Sequence, residues 1–358
     1  MKTAVFYGGT DIRVEDCPVP DPRPGEALVA IRAAGICGSD VRHYRNDAPG
    51  TTYPMRGGHE LSGEVVAVGP DVTSVKVGSR VGIEPLHLLG CRRCRQCQRG
   101  EYHICSSRGV RDGQNHHSSG FSDFDIAPVE SMYILPDNVS FEEAALLDVY
   151  GVALHGIHRV PVRATDTVVV VGTGAVGLTQ GQVARIAGAR QVIVVGRRAR
   201  ALQLAQENGA ADLVVDASSD DPVAAIMDLT GGAGADVAFE TSGDPSAVQM
   251  CCDVAGFGGR IGVTSLFAGA VSVDPTGVMR KELQLIWVNS YSRWDGVSEY
   301  QLALDLVASG RVRAASMVTH RVSLDDIGTG FAWASDKAAS GATKVMVVPR
   351  QQRGLPPT

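Results

Sequence analysis

From Thr167 to about Asn289 the chain alternates two kinds of apolar stretch. Short unbroken runs (TVVVV, QVIVV, DLVV, DVAF, RIGV) are separated by longer Ala-rich stretches such as AVGLTQGQVARIAG and ARALQLAQENG. Strand–helix alternation of this kind predicts a parallel sheet with helices on both faces. Runs that do not alternate are those of strands buried on both sides. The first ~150 residues differ. EALVAIRAAGI, GEVVAVGPDV and the run ending in RVGIEP are short and broken by Gly and Pro, which predicts a partly open β-barrel. The opening MKTAVFYGGTDIRVEDC alternates and reads as a strand. After residue 290 come a helix (SEYQLALDLVASG), a loop (VTHRVSLDD), a further helix and a short strand, KVMVVP. That segment is too short to fold alone. The expected organisation is a domain of residues 1–150, with 290–358 packing back on it, and a Rossmann doubly wound domain over 151–289.

Composition removes whole classes of function. The chain has 358 residues, 44% hydrophobic and 20% charged, enough for a sizeable core. Lys plus Arg number 33 against 39 Asp plus Glu, a formal charge of -6, and aromatics are 5%. Neither a basic face nor a stacking platform for nucleic acid is indicated. No apolar run is long enough to span a membrane, and the start lacks the pattern of a signal peptide, so a cytoplasmic protein is expected. Eight cysteines are present, of which Cys91, Cys94, Cys97 and Cys105 are crowded together. In a reducing compartment such a cluster is a metal site rather than a disulfide framework. Cys17, Cys37, Cys251 and Cys252 are scattered.

Three constellations carry chemistry. Gly172-Thr173-Gly174-Ala175-Val176-Gly177 follows TVVVV and opens a helix. In that context the glycines permit a tight turn, close approach of a pyrophosphate, and helix–strand packing. The next strand ends at Gly196, followed by Arg197 and Arg198, where an NAD site carries an acid for the ribose 2′-hydroxyl. Loss of the acid together with two guanidinium groups favours NADP(H) over NAD(H). Second, Cys91-x2-Cys94-x2-Cys97-x7-Cys105 can enclose one zinc in four thiolates, a closed and therefore structural site. Arg92, Arg93, Arg95 and Arg99 would offset its charge. Third, Cys37 in ICGSD, His59 and Glu60 in GGHE, and Asp148 in LLDVYG together offer sulfur, imidazole and carboxylate. That mixture suits a catalytic zinc with an open position.

ICGSD, GGHELSGEVVAVG, VGSRV, the four-cysteine lobe, LPDNVSFEEAALL and VGTGAVG occur in that order. From about Ala4 to Val348 the chain resembles the zinc-dependent medium-chain alcohol dehydrogenases, particularly the sorbitol (polyol) and threonine dehydrogenase branches. The resemblance implies a GroES-like catalytic domain interrupted in sequence by a Rossmann domain. It implies Cys37 and His59 as catalytic zinc ligands, Glu60 as a residue standing behind the ligands or exchanging with one, and Asp148 where polyol enzymes have Glu and threonine enzymes Asp. Ser39 matches the hydroxyl that relays the alcohol proton. The implied reaction moves a hydride between NAD(P)(H) and a secondary alcohol or ketone of polyol, sugar or aminocyclitol type. The alternative is threonine-like amino-alcohol oxidation. A zinc-free enone or quinone reductase of the same superfamily would lack both metal sets, and a binding protein that had lost its chemistry would show damage at Cys37, Ser39 or His59.

Some positions depart from the family pattern. Arg42 stands where the branch carries a relay His, with His43 after it, and Val149 replaces a Pro after Asp148. The loop GQNHHSSGFSDFDIAP adds His116 and His117, read as exposed loop histidines. Ser290 occupies the place of a polyol-binding Arg, with Arg293 close by, which argues against plain sorbitol oxidation. The apolar strand LQLIWVNS predicts pairing with a second copy, giving a homodimer or homotetramer. The expected partner is otherwise a small alcohol or ketone, with no nucleic acid and no membrane.

Overall fold

The computed structural model describes residues 1–48, 50–85, 90–107, 119–219 and 221–349. Within them the chain makes two compact units: Met1–Asp148, Ser292–Ala308 and the chain from Val318 onward form one, Val149–Tyr291 with Ser309–Met317 the other. Residues 309–317 were expected with the first. They go with the second because Val312, Ala314 and Met317 are buried and Arg313 is anchored. Its N–H donates to Gln182 Oε1 at 3.1 Å and its guanidinium to the Glu207 carbonyl at 2.8 Å.

The first unit is a GroES-like barrel built around strand Glu26–Gly35. One edge of that strand pairs along its length with Glu60–Val68; the other is shared by Phe124–Pro128 and Lys344–Val347. Two irregularities, at Leu28/Val29 and Ile31/Ala33, interrupt its register with Glu60–Val68, while Phe124–Pro128 takes residues 26–30 of the other edge and Lys344–Val347 residues 34–35. Phe6, Phe121 and Phe331 close the core, with Phe331 edge-on to the other two at 5.3 and 5.7 Å. Three sequence readings are corrected here. The N-terminal stretch is a hairpin, Lys2–Gly8 against Asp11–Asp16, because Gly8, Gly9 and Thr10 all take positive φ and reverse the chain. VTHRV is a strand, parallel to Lys344–Val347, with only Val318 and Val322 buried; so short an alternation resembles a loop. FSDFDIAP contributes the strand Phe124–Pro128 to the barrel.

The second unit holds a six-stranded, wholly parallel sheet in the order 3-2-1-4-5-6, counting its strands along the chain from Thr167–Val171. This is the Rossmann doubly wound sheet. Val168–Val171 and Val192–Val195 are buried, as unbroken Val/Ile runs require. Three Asp-Pro dipeptides start its helices. Asp221, Asp244 and Asp274 each accept backbone N–H bonds from the first turn, and the Pro at the following position has no N–H to satisfy. No helix among the described residues is long and apolar enough to cross a membrane.

Candidate active site

Cys37 is the N-cap of helix Gly38–Arg45, and Asp40 in its first turn accepts the Cys37 N–H at 2.9 Å. His59 and Glu60 enter strand Glu60–Val68 from a turn at Gly58, which has φ +92° and where a Cβ would lie 2.6 Å from the Phe121 nitrogen. Only glycine fits there. The turn brings Cys37, His59 and Glu60 together, with donor atoms within 4.8 Å of one another. Asp40 Oδ1 faces His59 Nδ1 at 3.4 Å. That leaves Nε2 for a metal, the arrangement in which a carboxylate behind a ligating histidine fixes its orientation. Burial opposes charge on His59, but Asp40 and Cys37 outweigh it and push its pKa well up. Burial likewise opposes the Asp40 charge, while His59 and the Cys37 N–H hold its carboxyl below the usual range.

Glu60 is buried and both its oxygens accept from Lys344 Nζ, at 2.7 and 2.6 Å; the same ammonium reaches the Ile36 carbonyl at 3.3 Å. Burial would lower the Lys344 pKa, but Glu60 raises it. Asp148 is buried at the start of helix Leu147–Arg159 and is outside the three-donor group. Ser39 is half-buried in the first turn after Cys37. Arg42 donates to the Asp47 carbonyl at 3.0 Å, and the His43 ring meets Thr51 Oγ1 at 3.0 Å.

The four-cysteine lobe fits zinc. All four sulfurs lie within 4.8 Å of one another, and Cys94 and Cys105 are 3.8 Å apart, about the edge of a tetrahedron with zinc–sulfur bonds of ~2.3 Å. Backbone N–H groups point at three sulfurs: Cys94 to Cys91 Sγ, Cys97 to Cys94 Sγ, Cys91 and Ser107 to Cys105 Sγ. These donors favour thiolate. The Cys97 N–H brings Cys94 down to about 6, and those of Arg93 and Cys94 lower Cys91, while burial pushes Cys97 up to about 12.

In the second unit, Gly172-Thr173-Gly174 leads from strand Thr167–Val171 into helix Ala175–Ile186. A Cβ on Gly177 would stand 2.1 Å from the Gly172 carbonyl oxygen, so the helix could not approach. A Cβ on Gly174 would meet nothing within 4 Å; that open side admits a ligand. Gly174 caps the helix without a side chain, leaving the first-turn amides of Ala175, Val176 and Gly177 facing a helix N-terminus fit for phosphate. Gly196 packs on Thr173, whose Cγ2 a Cβ would meet at 2.5 Å. Arg197 is exposed and loosely paired with Asp244 at 3.5 Å. Arg198 donates to the Thr173 carbonyl at 3.1 Å, and burial lowers its pKa.

Sequence reasoning missed Asp40, Lys344 and Glu84. Asp40 was on view inside ICGSD but reads as helix capping. Lys344, a lone charge opening an apolar strand, was a signal. Glu84 is buried, accepts from Tyr102 and from Tyr133 at 2.8 Å, and is pushed up to about 7 by burial. Arg293 lies across Gly100 and lines, with Arg92, Arg99 and Cys97, a cavity of about 400 Å³ beside the lobe. Ser290 has φ 55° and its hydroxyl donates to Asn289 at 3.3 Å. His116 and His117 fall outside the described residues.

Fold and site together define a zinc-binding oxidoreductase with a dinucleotide cradle. Two family models match: the alcohol dehydrogenase GroES-like domain over residues 23–137 and the zinc-binding dehydrogenase over 175–309. The chain is 31% identical over 330 residues to sorbitol dehydrogenase of Bacillus subtilis, covering 91% of each. It is 33% identical over 329 residues to L-threonine 3-dehydrogenase of Pyrococcus furiosus, covering 90% of each. A zinc-binding dehydrogenase of Sinorhizobium meliloti, solved with NADP bound, superposes with a TM-score of 0.87 at 30% identity, covering 97% of this chain and 99% of that one. The chain belongs to the zinc-dependent medium-chain alcohol dehydrogenases, NAD(P)-linked oxidoreductases acting on CH–OH groups.

Proposed function

We propose that the chain oxidises a polyol-like secondary alcohol, or reduces the matching ketone, with NADP(H) preferred over NAD(H), one catalytic zinc and one structural zinc. The observation that carries this reading is the convergence of Cys37, His59 and Glu60 within 4.8 Å in a chain that also builds a dinucleotide cradle. When bound, zinc lowers the pKa of the substrate hydroxyl and nicotinamide exchanges the hydride. The chain supplies the rest. Cys37 and His59 would hold the metal with Glu60 as an exchanging carboxylate, and Asp40 fixes the His59 ring. Ser39 accepts the alcohol proton and passes it outward. Lys344 takes both Glu60 oxygens in the metal-free chain, so Glu60 would ligate only on leaving that pair, and Asp148 would offer the alternative carboxylate. Cys91, Cys94, Cys97 and Cys105 hold the structural zinc.

Gly172, Gly174 and the first-turn amides of Ala175, Val176 and Gly177 receive the pyrophosphate, and Arg197 and Arg198 beside Gly196 receive the 2′-phosphate. The experiment is a titration of NADH and NADPH on the wild type and Arg197→Ala. A charge-assisted contact is worth ~1.5–3 kcal/mol, so NADPH binding should weaken at least tenfold while NADH binding stays. Equal binding of both cofactors with no effect of the mutation makes those arginines surface charge. Amino-alcohol oxidation is the second reading, favoured by Asp148 and by the likeness to a threonine dehydrogenase.

Edge strand Gln284–Trp287, beside Ala255–Val263, ends at an exposed Trp287, and we assign it to a homodimer, doubled or not to a tetramer. Light scattering giving a monomer mass would refute that. The reading includes a reducing compartment, the cytoplasm, in which the four cysteines would stay available as thiolate ligands.

A further inference from the structure

Glu240 ends strand Ala235–Glu240 and is fully buried. Its Oε1 accepts three hydrogen bonds: from the Ser242 N–H at 2.6 Å, the Ser242 hydroxyl at 2.7 Å and the Gly243 N–H at 2.8 Å. Its Oε2 is buried and has no hydrogen-bond partner among the described residues. An acceptor left bare in the interior is costly, and a charged one more so than an amide of the same shape.

The turn it organises abuts the cofactor cradle. A Cβ on Gly172 would meet Thr241 Oγ1 at 2.5 Å and the Ser242 nitrogen at 3.0 Å, and one on Gly177 would meet Thr241 Oγ1 at 2.7 Å. The Thr241 hydroxyl and N–H both donate to the Val171 carbonyl, at 2.9 Å each. Ser242 Oγ in turn accepts the Asp244 N–H at 3.1 Å, and Asp244 faces Arg197. One hydrogen-bonded unit, residues 240–244, thus joins the end of the fourth strand to the phosphate loop and to the arginine beside it. It lies at the carboxyl ends of the strands, where open parallel sheets bind their ligands.

We propose that Glu240 is a positioning residue of the dinucleotide site. Through Oε1 it sets the 241–243 turn, and the turn fixes how closely Gly172 and Gly177 approach and where Asp244 meets Arg197. The inference rests on the dinucleotide reading above. A group with this role acts on cofactor affinity through its acceptor, so an amide that keeps the acceptor must rescue what a methyl group cannot.

The test is NADPH fluorescence titration of the wild type, Glu240→Gln, Glu240→Ala and Ser242→Ala, with hydrogen exchange at the Ser242 and Gly243 amides. Expected is at least tenfold weaker NADPH binding in Glu240→Ala, faster exchange at both amides, and affinity within threefold of wild type in Glu240→Gln. If the alanine variant does not fold, Ser242→Ala decides, with an expected loss of threefold or more. Wild-type affinity in the alanine and serine variants overturns the proposal, as does a glutamine variant as weak as alanine. A wild type that binds neither NADPH nor NADH sinks the dinucleotide reading instead.

Discussion

Asp40→Asn is an isosteric change at a side chain that touches two of the proposed ligand residues. Asp40 accepts the Cys37 N–H at 2.9 Å and faces His59 Nδ1 at 3.4 Å, nine-tenths or more buried. An asparagine has one oxygen for these two donors. If its NH2 faces His59, Nδ1 must become the acceptor and the ring proton moves to Nε2, the nitrogen a metal needs bare. If it turns round, the Cys37 N–H is left facing a second donor. The first arrangement puts a proton on the ligating nitrogen and the second leaves a buried donor unpaired; each is a penalty of ~1–3 kcal/mol on the metal-ready state. At 1.36 kcal/mol per decade that is roughly a five- to 150-fold loss of zinc affinity, in line with the ~10–100-fold typical of the carboxylate behind a ligating histidine. The assay is competition for zinc with a chromophoric chelator, in which the Cys91–Cys105 lobe is an internal control. One zinc per chain should release earlier in the variant and the other should not move. Two zinc ions released as in the wild type would refute the role of Asp40.

Two further predictions test the surrounding polar network. Glu84 ionises in the unfolded chain near 4.5 and in the folded chain at about 7. The folded state therefore binds the proton more tightly, and stability falls as pH rises from 4.5 to 7, by roughly 3 kcal/mol. Glu84→Gln should remove that fall in urea melts at pH 5 and 8; parallel pH dependences in the two proteins contradict it. Lys344→Met strands a buried Glu60 carboxylate, which costs ~3–5 kcal/mol in the metal-free protein. Added zinc should recover part of this, because Glu60 is then free to ligate, and an unchanged urea midpoint without zinc would show the pair to be idle.

Much of this was legible in the chain. Unbroken Val runs and the GTGAVG turn announce the parallel sheet and its phosphate loop, because both depend on local pattern. Strand order 3-2-1-4-5-6 depends on crossovers that periodicity does not encode. VTHRV escaped because only two of its residues face the core. At the proposed metal centre, Cys37, His59 and Glu60 carry their chemistry in their identity, and the structure brings those three together. Their supports do not. Lys344 lies 284 residues from Glu60, and Asp40 becomes a partner of His59 only once the turn at Gly58 has folded back. Nothing in the sequence pattern singles out Glu240; its three donors do.

The central claim is that two zinc ions serve distinct roles and one of them is needed for turnover. Metal content and alcohol-dependent reduction of NADP+ should be followed on one sample during dialysis against a chelator, with a panel of polyols and threonine as substrates. Two zinc per chain are expected, with loss of all activity as the Cys37/His59 zinc leaves and recovery when zinc is restored. Undiminished turnover by a chain stripped of zinc would contradict it.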